Sequence, residues 1–218
     1  MQKLFEGIFS EENKVYTKNL LPGKRVYGER LVKVNGTEYR EWDAFRSKYC
    51  AALKSGLTKS IFFNGATVLY LGSAEGTTVS HVSDIIGEEG AVFCVDISEI
   101  AMKKLAALAE ERQNLFPIIS DAQLTANYKE YFEKKADCMF QDISQRNQAD
   151  IFVRNAVLLK KGGLGAIAIK TKSISQAKEK LEVVSDEIKI LEKEFEILQV
   201  VNLEPFEKHH YLVLVKKK

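Results

Sequence analysis

The sequence predicts an α/β protein, a Rossmann-like nucleoside-binding domain with a small antiparallel β domain at its N-terminal side. Three observations carry this. The apolar run 68–71 stops at Gly72, and Gly76 and an amphipathic stretch with Val79, Val82, Ile85 and Ile86 on one face follow. Strand, glycine turn and helix in that order open a βαβ unit, where backbone N–H groups and the helix start can approach a ligand. From residue 57 onward apolar runs alternate with helical periodicity, the pattern of a mostly parallel sheet. Ahead of them, Asn35-Gly36 separates two short runs at 31–34 and 37–40, a hairpin signal.

In chain order, residues 3–9, 14–17, 31–34 and 37–40 read as strands of a β-rich unit spanning residues 1–55. So short a unit buries little by itself and must lean on the domain at 56–218. It is either a brace or a surface for a partner or RNA. The glycine loop of the larger domain, G-x-x-x-G, falls short of the full dinucleotide fingerprint and would also suit an ordinary tight turn. Gly87 closes the first helix, and the second strand, 91–95, ends at Asp96. An acid at that strand tip, some twenty residues past the loop, takes ribose hydroxyls. The competing role, capping the next helix, already has Ser98.

Helix 98–112 turns Ala101, Leu105, Leu108 and Ala109 inward. The run 116–119 ends in Ser120-Asp121-Ala122, and 138–140 ends in Gln141-Asp142-Ile143-Ser144-Gln145. Polar groups at the ends of four strands describe one ligand crevice. A helix at 148–159 should be stopped by Lys160-Lys161-Gly162-Gly163, a cationic last turn with a glycine cap. A strand at 164–169 then delivers Lys170. A long helix, 175–194, presents Ala177, Leu181, Val184, Ile188 and Leu191. Strands 197–203 and 211–215 close the chain, linked through Pro205, Glu207, His209 and His210, and 216–218 read as a solvated tail.

Composition narrows the function. A net charge of +2 over 218 residues gives no strong field for gripping a polyanion unaided. Cys50, Cys94 and Cys138 are scattered and odd in number, with neither disulfide nor metal spacing, so no metal is expected. Without a signal segment or an eighteen-residue apolar run, the chain is expected to be soluble and cytoplasmic, with no membrane role.

Longer blocks carry a resemblance. Gly72-Ser-Ala-Glu-Gly76-Thr77-Thr78-Val-Ser-His-Val-Ser-Asp84, Ile-Ile-Ser-Asp121-Ala122 and Asp142-Ile-Ser-Gln145 are similar to archaeal fibrillarin. So are Ile-Ala-Ile-Lys170, Leu203-Glu-Pro-Phe-Glu-Lys-His-His210, Thr17-Lys-Asn-Leu-Leu-Pro-Gly23 and Trp42-Asp-Ala-Phe-Arg46-Ser-Lys48. The chain departs from the family at Glu75 (usually Gly or Ser), Asp96 (often Glu), Ile143-Ser144 (usually Val-Ala) and His209 (usually Asp).

The resemblance implies a Rossmann-like S-adenosylmethionine-dependent methyltransferase domain, to which the closing hairpin is a known addition. It implies ribose 2′-O-methylation of rRNA, and of tRNA, within a box C/D ribonucleoprotein. Partners would be a guide RNA, a coiled-coil scaffold protein and, through the assembly, a kink-turn-binding protein. Lys48, Asp142, Lys170 and His210 match the family's catalytic set, with Lys170 either a base or an orienting group. For the cofactor, Gly72, Gly76, Thr77 and Thr78 would meet the methionyl end. Asp96 and Ile97 would take ribose and cover adenine, Asp121 and Ala122 would recognise the adenine, and Asp142, Ile143, Ser144 and Gln145 would line the methionine side. His81, inside the helix after the loop, is assigned a structural role. Of the adjacent pair His209 and His210, alternation in an extended segment turns one to the site. Two other readings stay open: a different methyl acceptor such as a protein glutamine, or a non-catalytic assembly subunit. An NAD enzyme is disfavoured by Asp121-Ala122 and the closing hairpin.

Overall fold

The structure, a computed structural model, describes residues 1–218. Five strands open the chain: β1 (Gln2–Phe5), β2 (Ile8–Glu11), β3 (Lys14–Lys18), β4 (Leu31–Val34) and β5 (Thr37–Trp42). They form an antiparallel sheet in the order β1-β2-β3-β5-β4. Between β4 and β5, Asn35 and Gly36 both have positive φ, +49° and +80°, as a two-residue turn that matches strand twist demands. A helix absent from the sequence reading follows, α1 (Lys48–Lys54). Ser47 caps it, its hydroxyl accepting from Cys50 N, and Tyr49, Cys50, Ala51, Ala52 and Leu53 are buried.

The rest alternates: β6 (Thr67–Leu71), α2 (Thr77–Ile86), β7 (Ala91–Asp96), α3 (Glu99–Glu111), β8 (Leu115–Ile119), β9 (Ala136–Gln141), α4 (Gln148–Asn155) and β10 (Leu159–Lys170). Then come α5 (Thr171–Ile174), α6 (Lys180–Leu191), β11 (Phe195–Asn202) and β12 (His210–Lys217). The seven-stranded sheet has the order β11-β12-β10-β9-β6-β7-β8. Strands β6 to β10 pair in parallel, while β12 runs antiparallel to both β10 and β11. Because β7 and β8 extend the sheet on one side of β6 and β9 on the other, the switch point lies between β6 and β9. Ligands of open α/β sheets bind outside the strand ends there.

Three expectations are corrected. Helix α4 stops at Asn155, a 3-10 turn covers Ala156–Leu158, and Leu159 is already strand. The Lys160–Gly163 segment is therefore no helix cap. It is an irregularity in β10, whose register against β9 jumps between Leu159 and Leu164, with Gly162 at φ +71°. The long helix is split: Ser175 Oγ accepts from Ala177 N and Lys178 N, closing a local turn, and α6 starts only at Lys180. Its inner face is Val183, Val184, Glu187 and Leu191, while Leu181 is 67 % exposed. Nor are residues 216–218 a free tail. Lys217 extends β12 opposite Phe195 and its ammonium donates to the carbonyls of Ala156 and Leu159.

The small sheet packs on α2 through a shared core in which Ile8, Val15 and Trp42 meet Val79, Val82 and Ile85. A buried ionic cluster pins the same interface. Asp84 accepts from Arg40 Nη1 at 2.8 Å, Arg112 Nη1 at 2.7 Å, Thr17 Oγ1 at 2.8 Å and Leu20 N at 3.0 Å. Glu29 takes Arg40 Nε at 2.6 Å. Two guanidinium groups and two carboxylates removed from water hold only as a fully hydrogen-bonded set. His81 belongs here, as expected. Thr17 Oγ1 donates to Asp84, so it must accept from His81 Nδ1–H, and Tyr27 OH then donates to Nε2, 2.6 Å away. Burial, with Arg40 and Arg112 nearby, pushes the His81 imidazole well below its usual value and keeps it neutral.

Candidate active site

A cavity of about 600 Å³ opens at the carboxyl ends of β6, β7, β8 and β9, within the usual size range for a small-ligand site. Gly72 turns the chain out of β6 at φ +81°. A side chain there would come within 2.5 Å of the Asp142 carbonyl, so this glycine is what lets the β6 and β9 ends close on one another. Asp96 ends β7 and locks the loop in front of it. Its Oδ2 accepts from Ala74 N at 2.9 Å, and its Oδ1 accepts from Ser98 N at 2.9 Å. Each oxygen keeps a second acceptor position. Ile97, next to it, lines the cavity and is 64 % exposed, an apolar flap at the mouth.

Across the cavity, Asp121 Oδ1 accepts from Gln123 N at 2.9 Å and from Gln145 Nε2 at 3.0 Å. Partial burial would raise its carboxyl, but these hydrogen bonds hold it below the usual range. Ala122, Ile143 and Ser144 complete this wall. Gly76, Thr77 and Thr78 do not line the cavity. A side chain at Gly76 would strike Leu105 and Leu108, so its glycine serves the packing of α2 on α3. The Thr78 hydroxyl donates to Ser47 Oγ at 3.0 Å, tying α2 to the cap of α1. Glu75 pairs with Lys104 at 2.6 Å, both well exposed, away from the cavity lining.

At one end of the cavity three elements converge, and a fourth, which carries His210, adjoins them outside the lining. Lys170 ends β10, Lys48 begins α1, Asp142 follows β9 and His210 begins β12. Lys170 Nζ lies 2.8 Å from Asp142 Oδ1, 3.3 Å from the Asp142 carbonyl and 3.1 Å from Ser144 Oγ. Lys48 Nζ lies 3.3 Å from Asp142 Oδ2. Burial would push the Asp142 carboxyl up, but the two ammonium groups outweigh it and hold it below the usual range. Burial and Lys48 push the His210 imidazole down, with Lys170 adding to them against Glu207 and Asp142, so it is neutral near pH 7. His209 sits outside, exposed, but in a turn at φ +63° rather than an extended segment. Its carbonyl accepts from Thr171 N and Thr171 Oγ1. The sequence reading missed Glu207 as a site residue: its Oε2 lies 3.3 Å from His210 Nδ1 and its Oε1 3.7 Å from Lys48 Nζ.

The cavity wall carries three carboxylates, Asp96, Asp121 and Asp142, against two ammonium groups, Lys48 and Lys170, one negative charge in excess. That suits a sulfonium with a zwitterionic amino-acid tail. A net negative lining does not suit a dinucleotide pyrophosphate.

The same fold recurs in an S-adenosylmethionine-dependent O-methyltransferase from Thermotoga maritima, at a TM-score of 0.57 over 97 % of this chain and 85 % of that one, with 13 % identity. Fold and site together define a Rossmann-like methyltransferase using S-adenosyl-L-methionine. The model of the fibrillarin family matches residues 1–218, and the chain belongs to that family. A fibrillarin-like rRNA/tRNA 2′-O-methyltransferase of Pyrococcus abyssi is 46 % identical over 94 % of this chain and 90 % of its own. Fibrillarin from Aeropyrum pernix, in complex with natively bound S-adenosyl-L-methionine, superposes at a TM-score of 0.86 with 44 % identity, covering 93 % and 88 % of the two chains. The fibrillarin of a fibrillarin/Nop5p complex matches at 0.89 with 33 % identity, covering 100 % of both.

Proposed function

We propose that this chain transfers a methyl group to ribose 2′-hydroxyls of rRNA and tRNA as the catalytic subunit of a box C/D ribonucleoprotein. The observation that carries this is the convergence of Lys48, Asp142 and Lys170 at one end of the cavity, with His210 paired to Lys170 across the ladder just outside its lining. The substrate follows the names of relatives such as the Pyrococcus abyssi enzyme. When bound, S-adenosylmethionine supplies an electrophilic methyl on a sulfonium. Asp96 would hold its ribose, Asp121 and Ala122 the adenine with Ile97 over it, and Asp142 to Gln145 the methionyl side.

What the protein adds is alignment of the hydroxyl and removal of its proton. Lys170, fixed by Asp142 and Ser144, orients the 2′-oxygen and stabilises negative charge developing on it. Asp142 spaces the two ammonium groups. Neutral His210, on the strand beside Lys170, can accept a proton.

The matched fibrillarin/Nop5p complex supports a scaffold protein. The net charge of +2 supports RNA affinity coming from the assembly: a coiled-coil scaffold, a guide RNA that selects the nucleotide, and a kink-turn-binding protein. Three buried, unpaired cysteines support a reducing, cytoplasmic place of action. Single-turnover methylation of a guide-paired RNA tests the whole reading. The assembled particle should methylate the RNA and leave its 2′-deoxy version untouched. Equal labelling of both would overturn the ribose assignment.

A further inference from the structure

We propose that Glu207 is a positioning residue for His210, forming with it a carboxylate–imidazole pair that sets the tautomer and basicity of the ring. The proposal rests on the methyltransferase reading above and assigns a role to a residue outside the set of four. Glu207 Oε2 stands 3.3 Å from His210 Nδ1, and that nitrogen is closed off from solvent with no hydrogen-bond partner. Of the two ring nitrogens only Nδ1 is so enclosed. A carboxylate beside it favours the Nδ1–H tautomer and leaves the Nε2 lone pair as the open proton acceptor.

The carboxylate is held where it can do this. Glu207 N and Phe206 N both donate to the Leu203 carbonyl at 3.0 Å, and Leu203 N donates to the His210 carbonyl at 3.1 Å, so a closed turn fixes the pair. Its other oxygen faces Lys48 Nζ at 3.7 Å. Glu207 thus stands between Lys48 and His210, one carboxylate oxygen toward each. The charged groups around the ring are Lys48 from α1, Asp142 after β9, Lys170 on β10 and Glu207 on its own turn. Two are cations and one anion already serves both of them, which leaves Glu207 as the anion answering the imidazolium.

The test uses the full chain, carrying E207Q, which keeps an acceptor but not the charge, and E207A, which keeps neither. In the assembled particle E207Q should lower single-turnover methyl transfer about 10- to 100-fold, part of what proton-transfer assistance is worth, with S-adenosylmethionine affinity unchanged. The acid limb of the kcat/KM profile should move down by roughly one pH unit as the attractive charge is lost. Nitrogen NMR of the labelled imidazole in the chain without RNA reads the pair directly. Wild type should carry its proton on Nδ1, and E207A should show mixed tautomers and a lower titration midpoint. A His210 tautomer and midpoint that both variants leave unchanged would overturn the proposal. Failure of the wild-type particle to methylate RNA would instead strike the ribose reading, and the NMR result would still decide the pair.

Discussion

Lys170, the last residue of β10, and His210, the first of β12, are direct partners across the antiparallel ladder. The closing hairpin is therefore part of the reacting centre. By returning antiparallel, β12 starts where the parallel strands end, and so brings a residue from late in the chain to the ligand-binding edge. No parallel strand could begin there, since parallel strands end at that edge.

Asp142 is the carboxylate common to both lysines, and its value lies below the usual range. A carboxylate with a depressed folded value stabilises the fold fully above its unfolded value, near 3.8, and loses that contribution as pH falls through the lowered one. Asp142→Asn should therefore melt earlier than wild type at pH 7, with the gap closing below about pH 4. Melting curves from pH 7 down to about pH 2 check this; a gap independent of pH would deny the pairing.

Gly72→Ala forces a side chain into the left-handed region, 2.5 Å from the Asp142 carbonyl. Backbone strain of this kind costs about 1–3 kcal/mol, and the carbonyl it displaces belongs to the residue that holds both lysines. Loss of both thermal stability and methyl transfer is the expected outcome. An alanine variant with wild-type melting and turnover would show that the β6 and β9 ends need no such approach.

Asp84→Asn tests what fastens the small sheet. The substitution leaves the buried Arg112 guanidinium with a neutral partner and Arg40 with Glu29 alone, and breaking a buried pair costs about 3–5 kcal/mol. Hydrogen exchange should rise in β3, β5 and α2 before it rises in β9 and β10. Uniform exchange across the chain would mean that the cluster does not govern that interface.

Much of this was legible beforehand because periodicity and strand ends report on local physics. The strand before Gly72, the acids at the tips of β7 and β8 and the Asn35-Gly36 hairpin needed only neighbours in the chain. What misled was chemistry with two local uses. Ser175 is a good capping residue, and it does cap, but it closes a turn of its own rather than α6. Gly162-Gly163 suits a helix end and equally a strand irregularity, and here the pairing of β10 with β9 decided. Helix α1 was hidden because its seven residues are mostly apolar and its cap, Ser47, finds its second partner in Thr78, thirty-one residues away. Glu207 was placed in the linker of the closing hairpin without a role, since only the folded turn sets it between His210 and Lys48.

Asp96→Ala should weaken S-adenosylmethionine binding by about 1–3 kcal/mol, the cost of leaving buried polar groups unpaired. It also frees Ala74 N and Ser98 N, so loop order enters the same measurement. Calorimetry on a folded variant decides: unchanged affinity would remove Asp96 from the ribose site.

Lys170 separates the two roles a lysine can play at this centre. Its ammonium lies against Asp142 and Ser144 and is only 12 % exposed. If it acts as the transition state forms, Lys170→Ala should slow methyl transfer by about 10²–10⁴-fold or more while cofactor affinity stays nearly constant. A lysine serving merely as an ion-pair partner of Asp142 would show the reverse, a lower melting temperature with a modest rate change. Lys170→Arg divides the remaining cases, because a guanidinium keeps the charge and can orient an oxygen but cannot take up its proton. With neutral His210 beside it as acceptor, orientation is the role expected, so the arginine variant should retain much more activity than the alanine one. Arginine and alanine variants equally inactive, both with normal cofactor binding, would shift proton removal to Lys170 itself.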